Sequence, residues 1–271
     1  MTKYPLYVPS KGRADCCYTA EFLIRDQVPF RLVVEPSEEK AYRAQFPDVE
    51  VLVTPKDDMR LLGVRNWIRD HSVSLGAERH WQFDDNIVLM ARWHQARRIK
   101  VDSKIGFAAA EEFTDRYTNI GLSGFNYDMF AVGKAPPFRV NTHVYSASLI
   151  KNDMPYTWRL LYNDDTDLCL QVLAGGLCTV QINAFVVKKL RTMIVKGGNT
   201  EDLYQGDGRL KMARTLERMW PGIVTTERRY GRPQHVINWR KFRTPLIRRD
   251  DLDWDEIARK EWKLTRKATV R

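Results

Sequence analysis

Phe83-Asp84-Asp85-Asn86 closes an apolar stretch of the chain. Adjacent carboxylates at the end of a buried strand repel each other unless a cation or hydrogen-bond donors offset the repulsion. Hard divalent ions such as Mg²⁺ or Mn²⁺ take carboxylate oxygens and bridge to phosphate oxygens. Asp84, Asp85 and Asn86 are therefore candidate metal ligands, although the same residue types also make plain turns. A second acidic group, Asn163-Asp164-Asp165-Thr166-Asp167, stands before a short helix. One Asp there suits an N-cap, and another suits a general base that deprotonates a hydroxyl. A cap needs only one acid, so three in five residues favour chemistry.

Two further segments offer phosphate-binding groups. Pro9-Ser10-Lys11-Gly12-Arg13 follows a strand-like run and presents backbone donors, a hydroxyl and two cations beside a helix start. It has neither the glycines nor the Lys-Ser/Thr ending of a Walker loop. Gly63-Val64-Arg65-Asn66 opens a helix, whose start can face a diphosphate while Arg65 adds a fixed cation. Glu35, before Pro36, is either an acceptor for a base or ribose or a turn acid. His235 lies among basic residues and suits contact with metal, phosphate or acceptor as well as it suits a structural role. His71, His80, His94 and His143 are scattered and receive no role.

The elements that must position these groups alternate in the first half of the chain. Strands are expected over 4–8, 30–34, 49–54 and 80–83, and helices over 15–26, from Ser37 as cap, and over 63–75 with Gly76 as the stop. That order predicts an α/β fold with a mainly parallel sheet and helices on both faces. In such sheets ligands bind at the carboxyl ends of the strands, where Pro9–Arg13, Glu35 and Asp84–Asn86 all fall. The second half is mixed. Helices are expected over 107–117, 165–173 and 208–220, strands over 120–124, 129–132, 140–148 and 179–188, and a loop over 196–200.

The chain has 271 residues, 44% hydrophobic and 29% charged, as in ordinary globular proteins. No apolar run is long enough to span a membrane, and no apolar leader opens the chain, so an intracellular location is expected. Cys16, Cys17, Cys169 and Cys178 lack metal-ligand spacing and read as reduced packing thiols. The net charge of +10 is unevenly placed: residues 1–208 balance 26 basic against 26 acidic side chains, while residues 209–271 carry 18 against 8. The expected organisation is thus a neutral core over 1–208 and a basic extension over 209–271 that packs on the core and docks a polyanion, DNA above all.

Taken together, the motifs resemble the GT-A glycosyltransferases. More narrowly, Tyr7-Val8-Pro9-Ser10-Lys11-Gly12-Arg13-Ala14, then Gly63-Val64-Arg65-Asn66-Trp67-Ile68, then Trp81-Gln82-Phe83-Asp84-Asp85-Asn86-Ile87 resemble the phage TET/J-binding-protein-associated glycosyltransferases. The resemblance is sharpest over 4–90 and looser to about 240. It implies a GT-A-like nucleotide-sugar-binding fold and metal-dependent transfer of a sugar, glucose from UDP-glucose, onto hydroxymethylated pyrimidines such as 5-hydroxymethylcytosine in phage DNA, in the cytoplasm of an infected host cell. It places Pro9, Ser10, Lys11, Gly12, Arg13 and Glu35 around the nucleotide and Arg65 and Asn66 near its base or diphosphate. Asp84, Asp85 and Asn86 fall at the metal, Mn²⁺ or Mg²⁺, and the sugar, and Asp164 or Asp165 at the base of an inverting reaction. Asn86 departs from the pattern, being a weaker metal ligand than a carboxylate. Two other readings fit the residues: a transferase for a glycan, lipid or small molecule, and a non-catalytic DNA-binding module on the same fold.

Overall fold

The computed structural model describes residues 2–133, 135–190 and 208–260. Its first half is β1 (Leu6–Pro9), α1 (Tyr18–Arg25), β2 (Arg31–Val34), α2 (Glu39–Gln45), β3 (Glu50–Val53), α3 (Arg60–Ser74) and β4 (Arg79–Phe83). A hairpin follows, β5 (Ile87–His94) and β6 (Arg97–Lys100), then α4 (Ser103–Asp115), β7 (Ile120–Tyr127), β8 (Phe138–Val140) and β9 (Ala147–Lys151). The chain continues with α5 (Asp164–Ala174), β10 (Cys178–Lys189), α6 (Gly208–Met219), β11 (Val224–Arg229) and β12 (Arg232–Ile237).

Ten strands form one sheet in the order β3-β2-β1-β4-β9-β7-β10-β5-β6, with β8 beside β10. Strands β1 to β4 are mutually parallel, β7 and β10 share their direction, and β9 and β5 run against them. The expected α/β class with a mainly parallel sheet is what the chain adopts. The strands are apolar on both faces because helices cover both. Leu6, Val8, Trp81 and Phe83 pack on the face of α1 and α4, while Tyr7 and Val33 meet Val64 and Ile68 of α3 on the other. Trp81, Phe83, Phe107 and Phe125 form an aromatic cluster with ring centroids 5.3–6.3 Å apart. The indole N–H of Trp81 donates to Glu111 at 2.8 Å, which satisfies its one polar atom in the core.

Several boundaries differ from expectation for local reasons. Helix α3 starts at Arg60, one turn before Gly63. Ser37 does not cap α2: its amide and hydroxyl both donate to Asp57, at 3.0 and 2.7 Å. The strand expected over 140–148 survives only at its ends, because Asn141 and Ser146 adopt left-handed φ of 56° and 59° and break the extended run. The strand expected over 129–132 is a turn closed by Phe130 N–H to Tyr127 O at 3.0 Å. The hairpin turns Gln95-Ala96 (φ 47° and 61°) and Tyr230-Gly231 (52° and 76°) have two positive-φ residues each. That is the backbone of a tight two-residue hairpin, here mostly without its Asn-Gly signature. The loop expected over 196–200 lies outside the described residues. All four cysteines are free thiols, and no helix among the described residues is long and apolar enough to cross a membrane.

Beyond residue 208, Leu216 and Val224 bury against Leu170 of α5. Farther on, Asn119 Nδ2 donates to Pro245 O at 2.8 Å and Tyr117 bridges Arg248. The first contact seats α6 and the β11–β12 hairpin beside α5, and the others hold the following segment against the α4–β7 connection.

Candidate active site

The carboxyl ends of β1, β2, β4, β7 and β10 and the first turns of α3 and α5 meet at one cavity of about 840 Å³. The turn after β4 is pinned from below by Thr19 of α1. Its hydroxyl donates to Asp84 O at 2.5 Å and accepts from Ile87 N–H at 2.8 Å, and its amide donates to Asp85 O at 3.1 Å. The two carboxylates consequently point apart.

Asp84 faces α3 and β10. Arg65 Nη2 donates to its Oδ1 at 2.8 Å, and Lys189 Nζ and Ser146 Oγ each donate to its Oδ2 at 2.6 Å. Burial alone would raise the carboxyl, but Lys189 and Arg65 overcome it and hold the group well below the usual carboxylate range. Asp85 faces the loop after β1. It accepts from Ser10 Oγ at 2.7 Å and pairs with Arg13 Nη1 at 2.6 Å. Tyr42 extends that chain by donating to Ser10 Oγ at 2.7 Å. Asn86 donates to Leu190 O at 3.0 Å, while its buried Oδ1 has no partner.

At the β1–β2 end of the cavity, Lys11 bridges Glu35 at 2.5 Å and Asp58 at 3.0 Å. The other Glu35 oxygen accepts from Met59 N–H at 3.2 Å. Pro9, Ser10, Lys11, Arg13, Glu35, Arg65 and the Asp84–Asn86 turn all line the cavity, whereas Gly12 and Asn66 do not. Gly12, with φ 67°, turns its N–H onto the Glu38 carboxylate. Asn66 clips the backbone of Trp158 with both ends of its amide, at 2.7 and 2.9 Å. It positions the loop before α5 and does not line the cavity.

On the opposite wall, Asn163 takes the left-handed conformation (φ 53°) that Asn tolerates, and the chain turns there into α5. Asp164 and Asp165 are thereby set in the first turn, facing the cavity. The N-cap is thus Asn163 and not an aspartate, and its side chain makes no capping bond. Asp167 is fully buried and structural, holding Arg159 at 2.8 and 2.9 Å and the Trp220 indole at 2.8 Å. Asp164 lies 3.3 Å from Arg65 Nε. Burial raises its pKa, Arg65 opposes this, and the charges of Asp165 and Asp84 add to the rise. Asp165 lies 3.5 Å from His143 Nε2 and accepts from Thr166 N–H at 2.7 Å. Burial opposes its charge too, but His143 and the Thr166 amide outweigh it and lower the pKa. Of the two adjacent acids, the surroundings favour the charge of Asp165, the form a general base needs, and oppose that of Asp164.

Lys189, Ser146, Tyr127 and His143 are site residues that the motifs did not single out. Lys189 ends a strand-like run, so the rule that ligands meet strand carboxyl ends points to it; nothing local marks the other three. His143 stacks on Trp239 with centroids 6.0 Å apart and planes 18° apart. Burial pushes the His235 imidazole down, as does His143, while Asp165 acts in the opposite sense. His80 is buried and structural, bonded to Asn152 and Gln82.

The metal expectation at Asp84, Asp85 and Asn86 does not fit this arrangement. Both oxygens of each carboxylate already accept from side chains, chiefly cations, and the one uncommitted oxygen belongs to neutral Asn86. Among the described residues, no three acidic, histidine or cysteine side chains are grouped to hold a metal ion.

A stability prediction follows from Asp164. Its folded-state pKa lies above the ordinary carboxylate value, so the folded state binds more protons between the two, and stability falls as pH rises through that window. The destabilisation is full above the raised value and absent below about pH 4. Asp164→Asn should therefore melt higher than the parent at pH 8, with the gap closing by pH 4. A gap that is equal at both pH values would contradict the raised pKa.

The similarity searches place this geometry. No curated protein matches the chain. Among solved structures, A197 from STIV is 11% identical over 69% of this chain and 85% of its own, with a TM-score of 0.43. A protein from Desulfovibrio desulfuricans assigned as a nucleotide-diphospho-sugar transferase is 8% identical over 81% and 99%, with a TM-score of 0.41. A mannose-1-phosphate geranyltransferase from Thermus thermophilus is 12% identical over 82% and 65%, with a TM-score of 0.34. The family model of the TET-Associated Glycosyltransferases matches residues 4–198, a span that holds every cavity-lining residue discussed above. The chain belongs to the TET-Associated Glycosyltransferase family, and the enzyme it encodes is a glycosyltransferase.

Proposed function

We propose that this enzyme transfers glucose from UDP-glucose to the hydroxymethyl group of 5-hydroxymethylated pyrimidines, 5-hydroxymethylcytosine foremost, in phage DNA within an infected host cell. The observation that carries the acceptor side is the β11–β12 hairpin. Its register pairs Val224 with Ile237, Thr226 with His235 and Arg228 with Pro233. These pairs share one face, which runs from the core at Val224, past His235, to Arg228 near the tip. The tip adds Arg229, Arg232 and Tyr230, and Tyr230 is 92% exposed. A two-stranded ribbon fits the major groove, into which a pyrimidine 5-hydroxymethyl group projects. Arginines on such a ribbon meet phosphates or base edges on either side. The division into a 1–208 catalytic core and a 209–271 DNA-contacting extension is part of this proposal.

In the reaction, Asp165 accepts the proton of the acceptor hydroxyl. The oxygen forms a bond to the anomeric carbon as the bond from that carbon to the diphosphate breaks. The nucleoside diphosphate leaves with the electron pair, and the anomeric configuration inverts. Pro9, Ser10, Lys11, Arg13 and Glu35 line the nucleotide's end of the cavity, and the Asp84–Asn86 turn lies at the sugar's end. The acidic cluster, with both oxygens of each carboxylate already bonded to side chains, does not offer a ligand set for Mn²⁺ or Mg²⁺.

The joint variant Arg228→Ala, Tyr230→Ala, Arg232→Ala tests the acceptor assignment. We expect its KM for hydroxymethylated duplex DNA to rise about tenfold or more, with a shallower salt dependence. The KM for UDP-glucose should be unchanged. An unchanged KM for DNA, or faster transfer to a glycan than to DNA, would overturn the reading.

A further inference from the structure

The acidic turn has an unusual occupant for a sugar-transferase site, a lysine ammonium ion bonded into its first carboxylate. Lys189 Nζ lies 2.6 Å from Asp84 Oδ2 and 2.9 Å from Ser146 Oγ. Arg65 holds the other Asp84 oxygen and also faces Asp164 at 3.3 Å, so Asp84 is shared by two cations, one of which reaches a second carboxylate. All of these groups line the cavity. The aim of Lys189 is built into the sheet. The register of β10 against β5 shifts between Lys188, opposite Leu89, and Lys189, opposite Ile87. Irregularities of this kind re-aim a side chain at the edge of a site. The ammonium also sits 5.7 Å from the centroid of the Tyr127 ring, and the Tyr127 hydroxyl bonds to Ser146. Burial disfavours its charge, but Asp84 more than restores it, so the group stays cationic. Lys189 is therefore a fixed positive charge set beside the acidic turn and open to the cavity.

We propose that Lys189, with Arg65, supplies the positive charge that a divalent ion would otherwise bring to the departing diphosphate, and that sugar transfer by this enzyme needs no metal ion. The proposal rests on the nucleotide-sugar reading above and deepens it. When the bond between the anomeric carbon and the diphosphate oxygen breaks, the electron pair stays on that oxygen. The added negative charge is met by the Lys189 ammonium and the Arg65 guanidinium, and the proton removed from the acceptor rests on Asp165. The departure of Asn86 from a carboxylate agrees with this: a third acid would serve a metal, and a lysine does not require it. A compact ammonium stabilises a phosphate oxygen as a point charge.

The test uses the full chain treated with EDTA, with binding of UDP, GDP, ADP and CDP followed by calorimetry and transfer from UDP-glucose followed in parallel. We expect one nucleoside diphosphate to bind equally with EDTA or with Mn²⁺. Lys189→Met should weaken that binding at least tenfold and slow transfer on the order of 100-fold. Lys189→Arg should recover much of the binding, which a merely structural side chain would not require, and cooperative melting of both variants well above the assay temperature would exclude misfolding. Binding that appears only with Mn²⁺, binding under neither condition, or full binding by Lys189→Met overturns the proposal. Metal-free, Lys189-dependent binding without transfer to hydroxymethylated DNA would leave it standing and remove only the acceptor assignment.

Discussion

Asp165→Asn is expected to lower kcat for sugar transfer by roughly 10²–10⁴-fold, the usual contribution of a positioned general base, while the KM for UDP-glucose stays within about twofold. The substitution is nearly isosteric. Its amide oxygen still accepts from Thr166 N–H, which Asp165 Oδ1 does now at 2.7 Å, so the first turn of α5 keeps its shape. What is lost is an oxygen that can take a proton. Asp164→Asn should have a far smaller effect on kcat, because Asp164 is the acid whose charge the site disfavours. This contrast between two adjacent residues separates catalysis from general disturbance of the helix. Single-turnover rates of the two variants would measure it. Full transfer by Asp165→Asn would remove Asp165 from the mechanism.

Arg65→Met is expected to damage stability and activity together. Arg65 is 5% exposed. It lies 2.8 Å from Asp84, 3.3 Å from Asp164 and 4.5 Å from the centre of the Trp158 ring. Methionine fills much of that volume but leaves Asp164 without a counter-charge and Asp84 with Lys189 alone. Breaking a buried pair by removing one partner costs about 3–5 kcal/mol. For a chain of this size that lowers the melting temperature by roughly 10 °C. Transfer should fall on the order of 10²-fold or more, since a fixed cation beside the leaving group is also gone. Arg65→Lys should not rescue either property, because one ammonium cannot span both carboxylates while lying over Trp158. Calorimetric melting and steady-state kinetics on the three proteins would check this. A Lys variant equal to the parent would show that charge alone, not the forked geometry, is what the site needs.

The parallel half of the fold was legible because its signals are local. Apolar runs end in Pro9, Glu35 and Asp84, and helices stop at residues such as Gly76, which has φ 69°. The same logic put Ser10, Arg13, Glu35 and Asp84 at one cavity, since strand ends converge in a parallel sheet, and the family resemblance added Asp165. The remainder depended on contacts between distant residues. Ser146 and Lys189 reach Asp84 across 62 and 105 positions of sequence, and no spacing rule connects them. Asn66 had the residue type of a polar ligand but was bound to Trp158, 92 positions away. Asp167 looked like a third candidate acid and proved to be the buried partner of Arg159 and Trp220. The β5–β6 hairpin escaped notice because its turn residues, Gln95 and Ala96, carry no turn signature, although both adopt positive φ. Most consequentially, an acidic cluster can meet its counter-charge in a metal or in a basic side chain. Only the folded arrangement shows which cations reach Asp84.

The central claim is that this transferase sends its sugar to a modified base in DNA. It is tested most directly by incubating the full chain with UDP-glucose and matched duplexes that carry cytosine or 5-hydroxymethylcytosine, then digesting the DNA and weighing the nucleosides. The account predicts a new nucleoside heavier than hydroxymethylcytidine by one hexose residue, formed only on the hydroxymethylated duplex and formed equally in EDTA. Unmodified nucleosides from both duplexes, alongside transfer of the same sugar to a glycan or small-molecule acceptor, would contradict it.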